Sequence, residues 1–235
     1  MGSASQPPAS RVPCPHLLPV FQNFFNAHQV PWTRDRKHRA GCAVPSGYTV
    51  TQVERLHNPQ RWEQYCKARD AAAATCAAAA GFKPVDVQTS PLEQTLVGSG
   101  AGLCQRCNER FLFHGSEAAE QIVAGHFDLS RANGQSLLGK QIYFAEVAGK
   151  SDEYAGTVGA GLKMLVCRVV LGVQLYTDDR APTAAQKATF EQTTQNGQYH
   201  SIRSYRKDTT QLNEFAMGRV DLVYPEYVIT YTRLP

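Results

Sequence analysis

Residues 164–172 read MLVCRVVLG, an apolar run interrupted only by Arg168. A strand with one wet face alternates polar and apolar side chains; a run apolar at every position has to be covered on both faces. This segment therefore predicts a central strand with further structure packed on two sides. Five other stretches read as strands from their β-branched and aromatic content: GYTVTQVERL from 47, RFLFHG from 110, IYFA at 142–145, NEFAM at 213–217 and YPEYVITY from 224. Pro225 marks an irregularity near the last of them.

Helical signals are fewer. Asn58 and Pro59 open a helix as cap and first-turn proline, and the alanine-rich run that follows carries it toward Gly81. Trp62 and Tyr65 lie at helical spacing and are expected to face the core. Ser90 and Glu93 have capping-box spacing for a short helix at 90–96, and the glycines of VGSGAGL predict a flexible link after it. Ser116 caps the stretch SEAAEQIVAG, which stops at Gly125, and GKSDEYA starts another helix. The polar stretch 178–201 is expected at the surface. Strands outnumber helices and do not alternate with them regularly, which favours an α+β fold over a doubly wound sheet.

The 235 residues suit one domain or one domain with an extension. Residues 1–46, rich in proline, read as an N-terminal extension of unassigned role, partly disordered or docked through Phe21, Phe24 and Phe25; residues 47–235 read as the main domain. Net charge is +4, and much of the excess sits in RDRKHR at 34–39, read as a solvated loop, with phosphate contact as its alternative. No apolar run approaches the ~18 residues that span a bilayer, no basic-then-apolar leader opens the chain, and Gln6 occupies the Ser/Thr position of a myristoylation signal. A soluble, intracellular protein with no membrane partner is the expectation, nucleus and cytoplasm undecided. Seven cysteines, an odd number in a chain large enough to bury a core, do not read as a disulfide framework. Cys104 and Cys107 form one C-x-x-C. A structural zinc takes four ligands, and only Cys14 and His16, folding back, could complete the set, so reduced thiols and no metal are expected.

Two apolar runs end on ligand-capable residues: RFLFHGS on His114, Gly115 and Ser116, and GKQIYFAE around Tyr143. Together with GKSDEYA, MLVCRVVLG, YHSI and the closing NEF and VYPEYVITY, they follow in order the catalytic domain of the poly(ADP-ribose) polymerase family, which this chain resembles over roughly residues 47–235. YTVTQVERLHNPQRWEQYCKARD is similar to the stretch that opens that domain. The resemblance implies an ADP-ribosyltransferase fold of mostly antiparallel sheet with flanking helices, and NAD+ as substrate with no further cofactor. It implies an enzyme, a pentosyltransferase that moves ADP-ribose onto protein side chains, itself included, releasing nicotinamide and extending poly(ADP-ribose).

The His-Tyr-Glu signature of the family then falls on His114, Tyr143 and Glu214. By resemblance His114 bonds the adenosine ribose, the backbone of Gly115 beside Ser116 reads the nicotinamide amide, and Ser151 adds a hydroxyl. Tyr143 and Tyr154 hold the pyridine ring, and Lys150 assists acceptor or phosphates. The chemistry is consistent on its own terms. Nicotinamide leaves a cationic pyridinium as a neutral group, so no acid is needed, while the ribose gains oxocarbenium character that a carboxylate such as Glu214 stabilises.

Three rivals remain: single-unit transfer to protein, transfer to nucleic-acid ends, for which only the 34–39 run speaks, and a non-catalytic NAD-binding module of the same fold. A conventional dehydrogenase is disfavoured because no G-x-G-x-x-G follows a strand and opens a helix. One departure bears on the site. Gln141 stands where the family has glycine, and a positive φ there would cost it ~1 kcal/mol or more.

Overall fold

The apolar run does form the central strand. In the computed structural model, which describes residues 9–30, 36, 43–97, 102–157, 160–205 and 212–235, β5 (Leu162–Val170) is buried at every position but Lys163. It lies between β3 (Glu109–Gly115) and β9 (Val223–Leu234), antiparallel to both. Among the described residues the strands make one nine-stranded sheet in the order β1-β2-β9-β5-β3-β4-β8-β7-β6. The outer members are β1 (Ser10–Pro13), β2 (Gly47–His57), β4 (Ile142–Ala145), β6 (Gln174–Thr177), β7 (Ser201–Tyr205) and β8 (Asn213–Met217). All pairings are antiparallel except β6 with β7. This is the mostly antiparallel sheet with flanking helices that the sequence led us to expect.

Alternation along the strands divides the core. Leu112, Leu165, Cys167 and Val169 face α2 (Pro59–Ala78), where Tyr65, Ala72 and Cys76 close the layer. Phe111, Phe113, Met164 and Val166 face α1 (Leu18–Ala27), which contributes Phe21, Phe24 and Phe25. Phe25 meets Tyr48, Phe113 and Tyr231 edge-on at 5.3–5.9 Å, the geometry aromatic quadrupoles prefer. Residues well before position 47 thus back the strand that carries His114.

The register of β9 on β5 shifts between Val166 and Cys167, whose partners are Tyr227 and Pro225, so Glu226 is the extra residue beside the proline. Its carboxylate pairs with Arg168 and Arg55. Asn58 caps α2 as expected, accepting from the Arg61 N–H at 3.1 Å. Trp62 does not enter the core: Tyr65 takes that slot and donates to Glu109 at 2.6 Å, leaving the indole 37% exposed against Tyr65, Tyr224 and the Arg168 guanidinium. Glu93 does not complete a capping box with Ser90. The helix α3 (Ser90–Val97) already begins at Ser90, and Glu93 turns to β3, accepting from the Phe111 N–H at 3.0 Å and from Arg110 at 3.1 Å.

The remaining helices are α4 (Ala119–Gly125), α5 (Ala148–Asp152) and α6 (Ala184–Gln195). Cys104 and Cys107 stay free thiols, and Cys14 packs in the opposite layer from Cys107. The glycines at 98 and 100 and the basic run 34–39, except Arg36, lie outside the described residues. No helix among those described is long and apolar enough to cross a membrane.

Candidate active site

Strand pairing sets the site before any side chain does. Register places Phe113 opposite Ala145 and Ala145 opposite Glu214, so the end of β3, the end of β4 and the start of β8 lie side by side. His114 and Gly115 finish β3, Tyr143 lies on β4, Lys150 and Ser151 on α5, Tyr154 on the turn after it, and Glu214 on β8. These seven residues and Ser116 all line one cavity of about 790 Å³. The residues that the sequence singled out from four separate segments are brought together without exception.

The histidine is held in one tautomer. His114 Nδ1 lies 2.8 Å from the Tyr143 carbonyl oxygen, which can only accept, so the proton is on Nδ1 and the Nε2 lone pair is an acceptor. Phe127 and Phe144 flank the ring, and burial lowers its pKa to about 4, leaving it neutral at pH 7. Tyr143 commits its hydroxyl elsewhere: it donates to Gly139 O at 2.8 Å and accepts from Leu138 N–H at 2.9 Å. What Tyr143 offers the cavity is a ring face. Burial pushes its pKa upward, so it is un-ionised as well.

At the other wall, Gly115 touches α5. A Cβ at this position would lie 1.8 Å from the Ser151 carbonyl oxygen, so only glycine lets the two backbones meet. Ser151 in turn donates its hydroxyl to Phe113 O at 3.0 Å. Ser116 does not cap α4 as expected, because the helix begins only at Ala119 with Ala118 as its N-cap and no side-chain bond there; the Ser116 hydroxyl instead accepts from the Ala118 N–H at 3.1 Å in the preceding turn. Lys150 Nζ lies 5.4 Å from the Tyr154 ring centre, 2.9 Å from Glu153 Oε2 and 4.0 Å from Glu214 Oε1.

Several supporting residues escaped the sequence reading. Glu146, 1% exposed, accepts from the backbone and side-chain amide of Asn213 at 2.7 and 3.1 Å and from the Gln88 N–H at 3.1 Å. It thereby fixes where β8 starts, and so where Glu214 stands. The helix α6, opened by a Thr183–Gln186 capping box, sends Glu191 to the Lys140 N–H at 2.6 Å and Thr194 to Gln141 at 3.3 Å, bracing the loop before Tyr143. The strain expected at Gln141 does not arise. Gly139 carries the positive φ, +82°, and Gln141 is buried with ordinary backbone. Positive φ falls instead on His126, at +95° with ψ 173°, in the cavity wall. That conformation is essentially a glycine one and costs on the order of 1–3 kcal/mol; the imidazole Nε2 donates to Val220 O at 3.0 Å.

A family model described as the poly(ADP-ribose) polymerase catalytic domain matches residues 33–233. The match starts ahead of Tyr48 and runs through Glu214 to β9, covering more than four-fifths of the chain. This chain therefore belongs to the poly(ADP-ribose) polymerase catalytic-domain family, whose members are ADP-ribosyltransferases that take NAD+ as substrate.

Proposed function

We propose that the chain transfers ADP-ribose from NAD+ to protein side chains, its own included, and extends the first unit into poly(ADP-ribose). The observation that carries this reading is the convergence of His114, Gly115, Tyr143, Ser151, Tyr154 and Glu214 on a single cavity. In this reading the neutral His114 accepts a hydrogen bond from a hydroxyl of the adenosine ribose at Nε2, its other nitrogen donating to the Tyr143 carbonyl. The Gly115 backbone, with Ser116 next to it, meets the nicotinamide amide. Ser151 turns its hydroxyl from Phe113 O to the amide oxygen, and the rings of Tyr143 and Tyr154 sandwich the pyridinium.

The reaction breaks the bond between C1′ of the ribose and the pyridinium nitrogen. The bonding pair leaves with nicotinamide, which becomes neutral, and C1′ becomes oxocarbenium-like. Glu214 stabilises that charge through the ribose hydroxyl it accepts from, a fixed electrostatic contribution of the kind that is commonly the largest in enzymes. The acceptor oxygen then bonds to C1′. When the acceptor is a hydroxyl, its proton passes toward the Glu214 carboxylate and on to solvent. A hydroxyl of an ADP-ribose unit already attached is the acceptor for elongation, and a glutamate at this position can bond it where an apolar residue could not.

Labelled products resolved on a sequencing gel test the reading. A ladder of ADP-ribose units supports chain extension. A single unit per modified site, under excess NAD+ and at all times, refutes elongation and leaves single-unit transfer. Protein and nucleic-acid acceptors competing in the same assay identify the acceptor class.

A further inference from the structure

The helix α4 ends on a glycine, yet the glycine-type backbone falls one residue later. Gly125 is still helical, and a Cβ added to it would meet nothing within 4 Å. His126 instead carries φ +95° and ψ 173°, a combination that any side chain disfavours. Exchanging the two residues would relieve the strain, so the imidazole does something at 126 that outweighs it. Its Nε2 lies 3.0 Å from Val220 O, in the 3₁₀ turn Val220–Leu222 ahead of β9. A carbonyl only accepts, so Nε2 donates. Two further bonds hold the same turn: the His126 N–H donates to Ile122 O at 2.7 Å, and Arg61 of α2 donates to Gly125 O at 2.9 Å.

What the turn delivers is Phe127. Coming straight after the strained residue, it is 7% exposed and joins the buried cluster that holds Phe144 and Leu222. Its ring meets that of His114 at 90°, centroids 5.0 Å apart, and that of Phe144 at 70° and 5.7 Å. Phe144 itself lies 5.5 Å from His114, so the imidazole of the site is shut in by two rings that also brace each other. The direction in which Phe127 leaves the chain is set by the dihedrals just before it. A return of φ at 126 to the usual negative region would swing Phe127 off this seat and open His114 to water.

We propose that His126 is a positioning residue: its imidazole, anchored on Val220 O, holds the chain in the strained turn that seats Phe127 on the ring of His114. The consequence for catalysis rests on the transferase reading above, in which a fixed, water-shielded His114 meets the adenosine ribose. His126 and Phe127 both act through that histidine. The charges that face His126 are Arg61 of α2 and Asp221 of the 3₁₀ turn, which act on it in opposite directions; His114 is governed by its burial and by the Tyr143 carbonyl on β4.

Alanine and glycine at 126 test it together, in the full chain with histidine carbons labelled for NMR titration, and with kcat and KM for NAD+ measured separately. In the wild type His114 should stay neutral down to about pH 4. His126→Ala keeps the strain and loses the anchor, so Phe127 should leave its seat. The His114 midpoint should then rise by about one pH unit toward its ordinary value. KM should rise by about fivefold, the scale of one hydrogen bond, with kcat within about twofold. His126→Gly loses anchor and strain together, because glycine adopts this backbone freely, and should titrate and bind like the wild type. An imidazole that served substrate or core through its own contacts would make glycine as damaging as alanine. That result, or an unmoved His114 midpoint in His126→Ala, would overturn the proposal. Should His126→Ala not fold, Phe127→Ala decides: a raised His114 midpoint upholds the seat, and an unmoved one refutes it. Absence of nicotinamide release from the wild type is a different failure, of the transferase reading, and leaves the titration to decide the seating of Phe127.

Discussion

An alanine at Gly115 is the smallest change that should disable the site. Its methyl carbon would stand 1.8 Å from the Ser151 carbonyl oxygen and 2.6 Å from the carbonyl carbon, and real Cβ contacts do not close below 3.0 Å. The first contact must therefore open by at least 1.2 Å. The obstacle is backbone, so no change of rotamer relieves it. Nor is α5 free to retreat: Ser151 is bonded to Phe113 O at 3.0 Å, and Asp152 is held by Arg36, Arg233 and Tyr231. Overpacking of this kind costs roughly 1–3 kcal/mol in stability, a loss of several degrees in Tm for a chain of this size. The functional loss should be larger, because a misplacement of about 1 Å at a reacting centre costs on the order of 100-fold in rate. The assay pairs thermal unfolding with nicotinamide release and with calorimetric binding of a non-hydrolysable NAD+ analogue. Gly102→Ala serves as the control, since nothing lies within 4 Å of its Cβ. A folded Gly115→Ala protein that binds and turns over within about threefold of wild type would refute the claim that the two backbones meet to form the nicotinamide wall.

Other perturbations follow from the same geometry. His114→Ala and Tyr143→Ala should each weaken NAD+ analogue binding in calorimetry, and wild-type affinity in both would mean that these two strands do not form the pocket. Burial holds the His114 pKa near 4, below the ordinary 6.5, and lowers those of His126 and His200 in the same direction. Between about pH 6.5 and 4 the unfolded chain binds protons that the folded one does not, so stability is intact above 6.5 and is lost as pH falls through that window. Urea midpoints measured from pH 7.5 to 4.5 should decline below 6.5 and decline less in His114→Gln; a flat wild-type profile would contradict this. Phe25→Ala removes a fully buried ring from behind Phe113 and should cost about 3–5 kcal/mol, with kcat falling too. Full stability on truncating that ring would mean that the segment before residue 47 is not part of the working unit.

What the sequence disclosed depended on how local each signal was. The strands carrying His114 and Tyr143 were legible because a short apolar run with a ligand-capable residue in it is visible within seven residues. So was the bulge at Pro225, since proline cannot donate to a ladder. Glu93 had the right spacing for a cap, yet the buried guanidinium of Arg110, 17 residues on, competes for it more strongly than a helix terminus does. Arg36 was hidden for the same reason, because its partner Asp152 is 116 residues away and a polar run gives no hint of burial. The helix α6 carries few apolar residues, burying only Phe190, Thr193 and Thr194, so its periodicity is faint. The Thr183-x-x-Gln186 capping box was its one readable mark. Glu146 offers no motif at all: it matters only because β4 and β8 lie side by side, which is a property of the sheet and not of any segment.

The central claim is that Glu214, at the start of β8, drives transfer of ADP-ribose out of this cavity. Intact and peptide mass spectrometry of the purified chain after incubation with NAD+, wild type beside Glu214→Gln, tests it most directly. The wild type should gain mass in whole ADP-ribose units with free nicotinamide in the supernatant. Glu214→Gln should still bind the NAD+ analogue but acquire the modification on the order of 10²–10³-fold more slowly. A wild-type chain that remains unmodified and releases no nicotinamide, or a Glu214→Gln variant modified as fast as wild type, would contradict the account.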